Sequence, residues 1–444
     1  MLGCRLVING LIEESLTKKI KMRVLVLMML LMIYSVSNAQ KIDCSKQIKE
    51  YKDFLGSKKI DESIQPWEFV LKNCPKDNPE VYTDGVAIYQ YRIETAKSTE
   101  EKEKVVRDLM KLYDQFHKNF PERSKDYEIK KGMLLVDNSI GTDDEILTLF
   151  ESGFSKVKDV EGRVIFSYFK LFHKKFKNAD SKISANTYVE KYSSLYQLTN
   201  QMLLSKPNYS DEYNATLRSL KSEARSVINC ENLTAYYEAK TNENEENIQW
   251  FETALDILSA RCSDKPIFLS MAQKFYDLNK NAKSAGFLAM ASVKNRKTDD
   301  AKKYFEEAAM LENDSIEKAK IYYNLGATLY NGNLEKTKEF MNKAISFDPM
   351  LDRAYLFLSN AYVDKAEKCT ENDFDKKAVY YLAIQTIKRA QNQNPKFAGK
   401  YDSLIAELEK KSLSVEEIFQ AKLFGKTYKI KCGINEIVEF PQKK

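Results

Sequence analysis

The sequence predicts an all-α fold, a stack of paired helices, with a small β-hairpin at its C-terminal end. Among the 444 residues only 14 are Gly and 9 are Pro, so signals for turns are scarce. Hydrophobic residues make up 43% of the chain and charged residues 30%, a composition that can bury a core and argues against disorder. Small residues also recur within helical patterns, since Ala308, Ala344 and Ala390 lie 36 and 46 residues apart. We therefore expect a repeated helical hairpin.

The first 39 residues have the pattern of a signal peptide. Basic residues precede an apolar run of 13 residues at 24–36, and the small residues Ser37 and Ala39 follow. The run is shorter than the roughly 20 residues needed to span a bilayer. We predict that Met22 is the true start, that 1–21 is an over-extended start, and that 22–39 is a signal peptide cleaved after Ala39. An uncleaved membrane anchor is the alternative, and it would be the one expected contact with a membrane.

The cysteines fit an exported protein. One of the seven, Cys4, lies in the leader, and the even number that remains permits disulfides in an oxidising compartment. The sequence alone does not choose among the possible pairings, but placement along the chain favours three local ones. The favoured pairs are Cys44 with Cys74, Cys230 with Cys262, and Cys369 with Cys432. No Cys-x-x-Cys or Cys/His cluster is present, so no metal site is predicted.

The stretch from Tyr322 to Pro349 shows the repeating unit. Two helical patterns of apolar residues flank a break at 331–333, which predicts a helix, a tight turn and a second helix. Gly326 and Ala344 lack bulk, so the two helices can approach closely, and Pro349 cannot continue a helix. Similar helices are predicted at 299–311, 354–363 and 380–395. One such hairpin cannot bury its apolar faces alone and needs a similar neighbour.

Residues from about 280 to 395 resemble tetratricopeptide (TPR) repeats. The family's packing positions are occupied here by Tyr322, Leu325, Gly326, Ala344 and Pro349. Two positions depart from the family, because Thr337 replaces a usual Ala and the loop at Asn331 is one residue short. The wider chain resembles exported TPR proteins of Bacteroidetes-type bacteria, through the segments 66–75, 81–85, 108–116, 376–390 and 425–440. The resemblance implies a TPR-like helical-hairpin solenoid that serves as a protein-interaction module.

The rest of the chain is expected to extend this plan. We predict degenerate TPR-like hairpins over 40–279, TPR repeats over 280–410 and a capping segment over 411–444. In the first region, helices are predicted within 44–74, 99–120, 142–204, 208–228, 248–258 and 266–278, with a polar loop at 240–247. Thr142, with Glu145 three residues later, predicts a helix N-cap. Alternation at Tyr428, Ile430 and Cys432 predicts a strand, and 436–440 a second, in a hairpin that covers the last helix.

Motifs of catalysis are absent from the sequence. It contains no His-Glu-x-x-His, no Gly-x-Ser-x-Gly, and no phosphate-binding or dinucleotide-binding loop. His117 and Asp114 share a predicted helix, where they are expected to form a surface contact. The net charge of +6 is spread without a basic stripe, so no nucleic-acid partner is predicted. We expect a protein that is not an enzyme and that needs no cofactor.

A binding surface is expected on the first helices of the repeats, which line the concave side in TPR arrays. The candidate partner-binding residues are Lys283, Met290, Lys320, Tyr323, Tyr330, Arg353 and Asn360. This basic and aromatic face suits an extended peptide or a carboxylate-bearing tail. Alternatively, it packs on the N-terminal half of the chain.

The expected function is that of an exported scaffold or adaptor that binds another envelope or secreted protein, in the periplasm or at the cell surface. A carbohydrate- or peptidoglycan-binding protein is the alternative, and an enzyme with an unfamiliar helical site is a third possibility.

Overall fold

The computed structural model describes residues 43–330, 334–434 and 436–442. The predicted start at Met22, the signal peptide, Cys4 and the turn at 331–333 lie outside the described residues. Helices dominate the described chain, and the only sheet there has two strands near the C-terminus. The predicted all-α fold of TPR-like hairpins with a small C-terminal β-hairpin is therefore confirmed. The chain divides into two compact units, which meet in sequence at Val160 and Glu161.

The first unit consists of three helical hairpins. Its helices are α1 (Ser45–Gly56), α2 (Ile60–Asn73), α3 (Glu80–Thr95), α4 (Thr99–Asn119), α5 (Tyr127–Asn138) and α6 (Asp143–Lys156). Each helix packs on the next along the chain. The predicted disulfide between Cys44 and Cys74 is present, with Cα atoms 6.5 Å apart, and it closes the first hairpin. The indole N–H of buried Trp67 donates to the Val81 carbonyl oxygen at 2.7 Å, which joins α2 to α3.

The N-cap predicted at Thr142 is confirmed. The Thr142 hydroxyl accepts a hydrogen bond from the Glu145 backbone N–H at 3.2 Å, at the start of α6. The Glu145 carboxylate in turn binds the Arg107 guanidinium on α4, with Nη2 and Oε2 3.1 Å apart. The cap therefore fixes the helix turn that carries this ion pair between α4 and α6.

Removal of this cap should destabilise the first unit. Thr142→Ala leaves a helix N–H without its acceptor, and we expect a loss of about 1 kcal/mol of unfolding free energy. The measurement is urea unfolding followed by circular dichroism. Thr148→Ala is the control, because Thr148 lies exposed on the same helix and its hydroxyl donates only to the Asp144 carbonyl at 2.8 Å. Equal losses for the two variants would contradict the role of the cap.

The second unit contains the remaining described helices. They are α7 (Gly162–Lys177), α8 (Ala185–Ser205), α9 (Ser210–Glu223), α10 (Cys230–Lys240), α11 (Ile248–Ser259), α12 (Pro266–Leu278), α13 (Ala282–Lys294), α14 (Thr298–Leu311), α15 (Ser315–Leu329), α16 (Leu334–Phe347), α17 (Asp352–Glu367), α18 (Asp373–Gln393), α19 (Asp402–Glu409) and α20 (Val415–Gln420). Short 3-10 turns in the two units lie at Pro121–Arg123, Pro207–Tyr209, Ala224–Ser226, Asn242–Asn244 and Pro395–Phe397. Among the described residues, no helix combines the length and the apolar character needed to cross a membrane.

Helix α10 is absent from the sequence-based prediction. It has only 11 residues, and its buried side chains, Leu233, Tyr236 and Tyr237, are too few and too close together to show a helical period. The helix begins instead at a side-chain N-cap, because the Asn229 side chain accepts from the Asn232 backbone N–H at 2.9 Å. The predicted disulfide of Cys230 to Cys262, with Cα atoms 5.5 Å apart, ties this helix start to the chain just after α11.

Three consecutive hairpins form the regular repeat, namely α13 with α14, α15 with α16, and α17 with α18. Each second helix also packs on the first helix of the next hairpin. The recurring small residues, Ala308, Ala344 and Ala390, are all buried. Gly326 lies where α15 crosses α16, and a Cβ atom built on it would be 3.0 Å from Met341 Cε and 3.1 Å from Phe340 Cβ. The close approach predicted from Gly326 and Ala344 is thus present.

The C-terminal hairpin has two short strands, β1 (Thr427–Lys429) and β2 (Ile437–Glu439). They are antiparallel, and Tyr428 pairs with Val438. Ile430, Val438 and Phe440 are buried in the core formed by α17 and α18. The third predicted disulfide, Cys369 to Cys432, has Cα atoms 5.2 Å apart and joins the turn between α17 and α18 to the hairpin. The hairpin thus covers the last regular repeat.

Candidate functional site

The first helices of the second and third repeats, α15 and α17, share a set of touching aromatic rings. Phe357 on α17 lies edge-on to Tyr323 of α15 and to Tyr330, the residue that follows α15, with ring centroids 6.0 Å and 5.6 Å away. The three rings are partly exposed, and we call them the aromatic patch. Through the aromatic patch, α15 and α17 form one continuous surface, although α16 lies between them in sequence.

Helical spacing explains how the patch forms. Tyr323 lies on α15, and Tyr330 comes seven residues later, directly after the last turn of that helix, with the small Ala327 between them. On α17, Arg353, Phe357, Asn360 and Asp364 follow at spacings of three and four, so they also share a face. The sequence prediction included Arg353 and Asn360 but missed Phe357 and Asp364. Their spacing from Arg353 is the signal that could have found them.

Arg353 is an exposed cation at this surface. Its guanidinium carbon lies 4.4 Å from the centroid of the Tyr323 ring, a cation–π contact between α17 and α15. Within the described chain, no carboxylate forms an ion pair with the Arg353 side chain. A guanidinium stacked on a ring keeps its N–H edge free to donate two hydrogen bonds to a carboxylate. Arg353 is therefore oriented before any ligand binds.

Tyr330 is held at the other end of the patch. Its hydroxyl donates to Asp364 Oδ2 at 2.7 Å, and the same oxygen accepts from Lys368 Nζ at 2.9 Å. Partial burial and the Asp364 carboxylate raise the pKa of Tyr330 to about 12. The hydrogen bonds from Lys368 and Tyr330 lower the pKa of Asp364. At neutral pH the tyrosine is thus a proton donor and the aspartate an anion, which fixes the ring.

The other predicted residues lie in different settings. Lys320, one turn before Tyr323, pairs with Glu317 on its own helix, and Asn360 is exposed on α17, three residues after Phe357. Lys283 instead binds Glu252 at 2.8 Å and Asp256 at 2.7 Å, both on α11. Burial opposes the charge of Lys283, but these two carboxylates more than compensate and raise its pKa.

Met290 is half-buried on α13. No hydrogen bond, ion pair or ring contact of the described residues joins Lys283 or Met290 to the aromatic patch. The structure thus brings together Tyr323, Tyr330 and Arg353, with Lys320 and Asn360 on the same two helices.

His117 and Asp114 on α4 contact other residues rather than each other. The His117 ring stacks on Tyr127 with centroids 4.1 Å apart, and its Nδ1 lies 3.2 Å from the Ser124 carbonyl oxygen. Asp114 forms an ion pair with Lys131 at 2.7 Å. The expected surface contact between the two side chains is therefore replaced by separate contacts with α5 and the chain before it. Among the described residues, no group of three His, Cys, Asp or Glu side chains is placed to hold a metal ion.

Comparison with known proteins gives a limited result. No protein-family model matches the chain, and no curated protein matches it. Among solved structures, MamA is 21% identical over 40% of this chain and 93% of that one, with a TM-score of 0.31. Yeast Tom70 is 15% identical over 85% of this chain and 82% of that one, with a TM-score of 0.32. The TPR domain of P58(IPK) is 14% identical over 86% and 99%, with a TM-score of 0.25. At these values the likeness carries no argument about function.

Proposed function

We propose that this protein is a non-enzymatic, exported scaffold that binds an extended acidic segment of another envelope or secreted protein through the aromatic patch and Arg353. The observation that carries the proposal is the Arg353 guanidinium, stacked 4.4 Å over Tyr323 and without a carboxylate partner among the described residues. Aromatic and Arg side chains are the types that contribute most to binding energy in protein interfaces.

The chemistry of the patch defines the segment it would bind. A carboxylate of the partner would take the N–H edge of Arg353, with Lys320 as a second cation one turn before Tyr323. Apolar side chains next to that carboxylate would contact the exposed edges of Tyr323, Phe357 and Tyr330. Because hydrogen bonds and ring contacts already hold these rings, little side-chain freedom is lost on binding. The expected ligand is therefore an acidic peptide with flanking apolar residues.

Export is the second part of the proposal. The sequence pattern at 22–39 would direct the chain to the periplasm or the cell surface. Three disulfides support this location, because such bonds persist in oxidising compartments and are rare in the cytosol. N-terminal sequencing of the protein from cell envelopes tests it directly. We expect a mature N-terminus at Gln40 and recovery outside the cytosol.

The binding proposal is tested by crosslinking in intact native cells, identification of the captured protein, and titration of its acidic segment with purified protein. Arg353→Ala should weaken binding at least about tenfold, because a hydrogen-bonded charge pair contributes about 1.5–3 kcal/mol. Tyr323→Ala should also weaken binding, since it removes the ring that orients Arg353.

A matched control is available on the second helix of the same repeat. Arg389 on α18 also stacks on a tyrosine, 5.7 Å from the centroid of the Tyr355 ring. Arg389→Ala removes an exposed arginine and a cation–π contact, but it leaves the aromatic patch unchanged. Binding that survives Arg353→Ala, or that falls equally with Arg389→Ala, would contradict the proposed surface.

A further inference from the structure

A separate polar cleft of about 340 Å³ lies between α8, α10 and α11 of the second unit. This volume is at the small end of the range for ligand sites, roughly 300–1,000 Å³. Its lining includes Glu190 and Gln197 on α8, Tyr236 and Tyr237 on α10, and Trp250 on α11. None of these residues belongs to the aromatic patch, so the inference does not depend on the proposed function.

The floor of the cleft is rigid and its polar groups are satisfied. The hydroxyls of Tyr237 and Ser193 are both buried and share a hydrogen bond of 2.8 Å between α10 and α8. Tyr236 packs against Tyr237, with ring centroids 5.1 Å apart. The floor therefore needs no rearrangement before a ligand binds.

One wall of the cleft is the partly exposed indole of Trp250. Its ring lies edge-on to Tyr237 at 5.5 Å and to Phe251 at 5.2 Å, so both neighbours limit its movement. Asn247 caps the first turn of α11 and fixes the backbone there, because its side-chain oxygen accepts from the Trp250 backbone N–H at 3.0 Å. A fixed, flat apolar surface is what the C–H face of a pyranose ring packs against.

Polar side chains on the rim supply both donors and acceptors. The side chains of Glu190 and Gln197 on α8 form no hydrogen bond or ion pair with the described part of the chain. The Asn244 amide donates to the Lys240 carbonyl at 3.0 Å, and Lys240 Nζ binds Glu243 at 2.7 Å. Burial, followed by the nearby Glu190 charge, raises the pKa of Tyr236 to about 12. Its hydroxyl is therefore protonated at neutral pH.

We propose that this cleft binds one neutral sugar ring of a glycan, with Trp250 stacked on the ring and with Glu190 and Gln197 bonded to its hydroxyls. A sugar hydroxyl both donates and accepts, and it needs this mixture of carboxylate and amide groups. An anionic ligand is disfavoured because Glu190 and Glu243 outnumber Lys240. A Lys or Arg side chain of a peptide would use only the acceptors and leave the Gln197 amide donors unpaired.

Fluorescence gives a local readout of this cleft. The chain has two tryptophans, and Trp67 is only 1% exposed in the first unit, so acrylamide should quench mainly Trp250. The full-length mature protein is screened first on a glycan array. Maltose, cellobiose, N,N′-diacetylchitobiose and the best array glycan are then titrated by fluorescence and calorimetry. We expect at least one neutral saccharide to bind and to reduce the quenching of Trp250.

Variants on the rim decide where that saccharide binds. Gln197→Ala removes a hydrogen-bonding group, and Glu190→Gln replaces one acceptor oxygen of a carboxylate by an amide N–H donor, which cannot accept from a sugar hydroxyl. Each change should therefore weaken binding about tenfold. Glu238→Gln is the matched control, since Glu238 is exposed on α10 and does not line the cleft. It should leave binding unchanged, and circular dichroism should show all three variants folded.

Three results would overturn the proposal. The first is that no array glycan or disaccharide binds. The second is that a saccharide binds without protecting Trp250 and with equal affinity for Glu190→Gln and the unchanged protein. The third is that a lysine-containing peptide binds, with dependence on Glu190, while the saccharides do not, which would make the cleft a cation site.

Discussion

Replacement of Cys369 and Cys432 together by alanine should lower the free energy of unfolding of the second unit by about 4 kcal/mol. The two cysteines are separated by 63 residues, and a crosslink over a loop of this length restricts the unfolded chain by about that amount in the chain-entropy model. The folded hairpin of strands should nevertheless remain docked, because other contacts also hold it. We therefore expect an unchanged circular dichroism spectrum and a lower midpoint of urea unfolding.

Those other contacts centre on the buried carboxylate of Asp375 on α18. Its Oδ1 accepts from the Tyr428 hydroxyl at 3.0 Å and from the Lys431 backbone N–H at 2.9 Å. The Gln385 amide also donates to the Glu439 carbonyl at 2.7 Å, which ties β2 to the same helix. These bonds exist only in the folded state, whereas the disulfide also acts on the unfolded chain.

Asp375→Ala is accordingly the contrasting variant. It should leave the Lys431 N–H without an acceptor and should increase hydrogen exchange in β1 while the disulfide is intact. In the double cysteine variant, the backbone amides of β1 should exchange more slowly than they do in the Asp375→Ala variant. A double cysteine variant with undiminished stability, or with a hairpin as exposed as in Asp375→Ala, would show that this division of roles is wrong.

Much of the fold was predictable because its signals are local. A capping pair such as Thr142 and Glu145, or a proline such as Pro349, acts within a few residues, so its meaning does not depend on the rest of the chain. The alternation at Tyr428 and Ile430 similarly predicts a strand, and Ile430 is buried just after the end of β1. Helix α10 was missed because its start depends on the Asn229 cap and on a disulfide to distant Cys262, which carry no helical period.

The candidate sites were predictable only in part, because they depend on which helices meet. The family pattern points to the first helices of the repeats, and Tyr323, Tyr330 and Arg353 do meet there. It does not indicate that Phe357 lies between the two tyrosines, since that requires the offset between α15 and α17.

The cleft beside Trp250 depends even more on which helices meet. Its residues come from three helices that are not a regular repeat, and two adjacent tyrosines such as Tyr236 and Tyr237 do not by themselves indicate a site. Glu190 and Gln197 gave no signal at all in the sequence, because isolated polar residues on a helix are ordinarily solvent-facing. Packing of α8 against α10 and α11 is what turns them towards the aromatic rings.

Gly326→Leu, at the crossing of α15 and α16, should destabilise the second unit by about 3 kcal/mol. A Cβ atom at this position would already lie 3.1 Å from Phe340 Cβ, an atom next to the backbone of α16 that cannot move aside easily. The rest of a leucine side chain would have to separate α15 from α16, and overpacking of this kind costs about 1–3 kcal/mol or more. Urea unfolding and hydrogen exchange of α15 and α16 measure the effect.

A glycine-to-leucine change one repeat earlier, at Gly286, distinguishes the effect of packing on stability from that of helix propensity. Gly286 lies within α13, the first helix of the preceding hairpin, and a Cβ atom there would have no neighbour within 4 Å. Gly286→Leu should therefore stabilise the protein by roughly 0.5–1 kcal/mol, since leucine forms helices better than glycine does. Both variants replace a glycine by leucine inside the first helix of a hairpin. If Gly326→Leu lowers the free energy of unfolding and Gly286→Leu raises it, the difference reflects the close approach of α15 and α16. A gain in stability for Gly326→Leu would mean that α15 and α16 do not approach each other at Gly326 in solution.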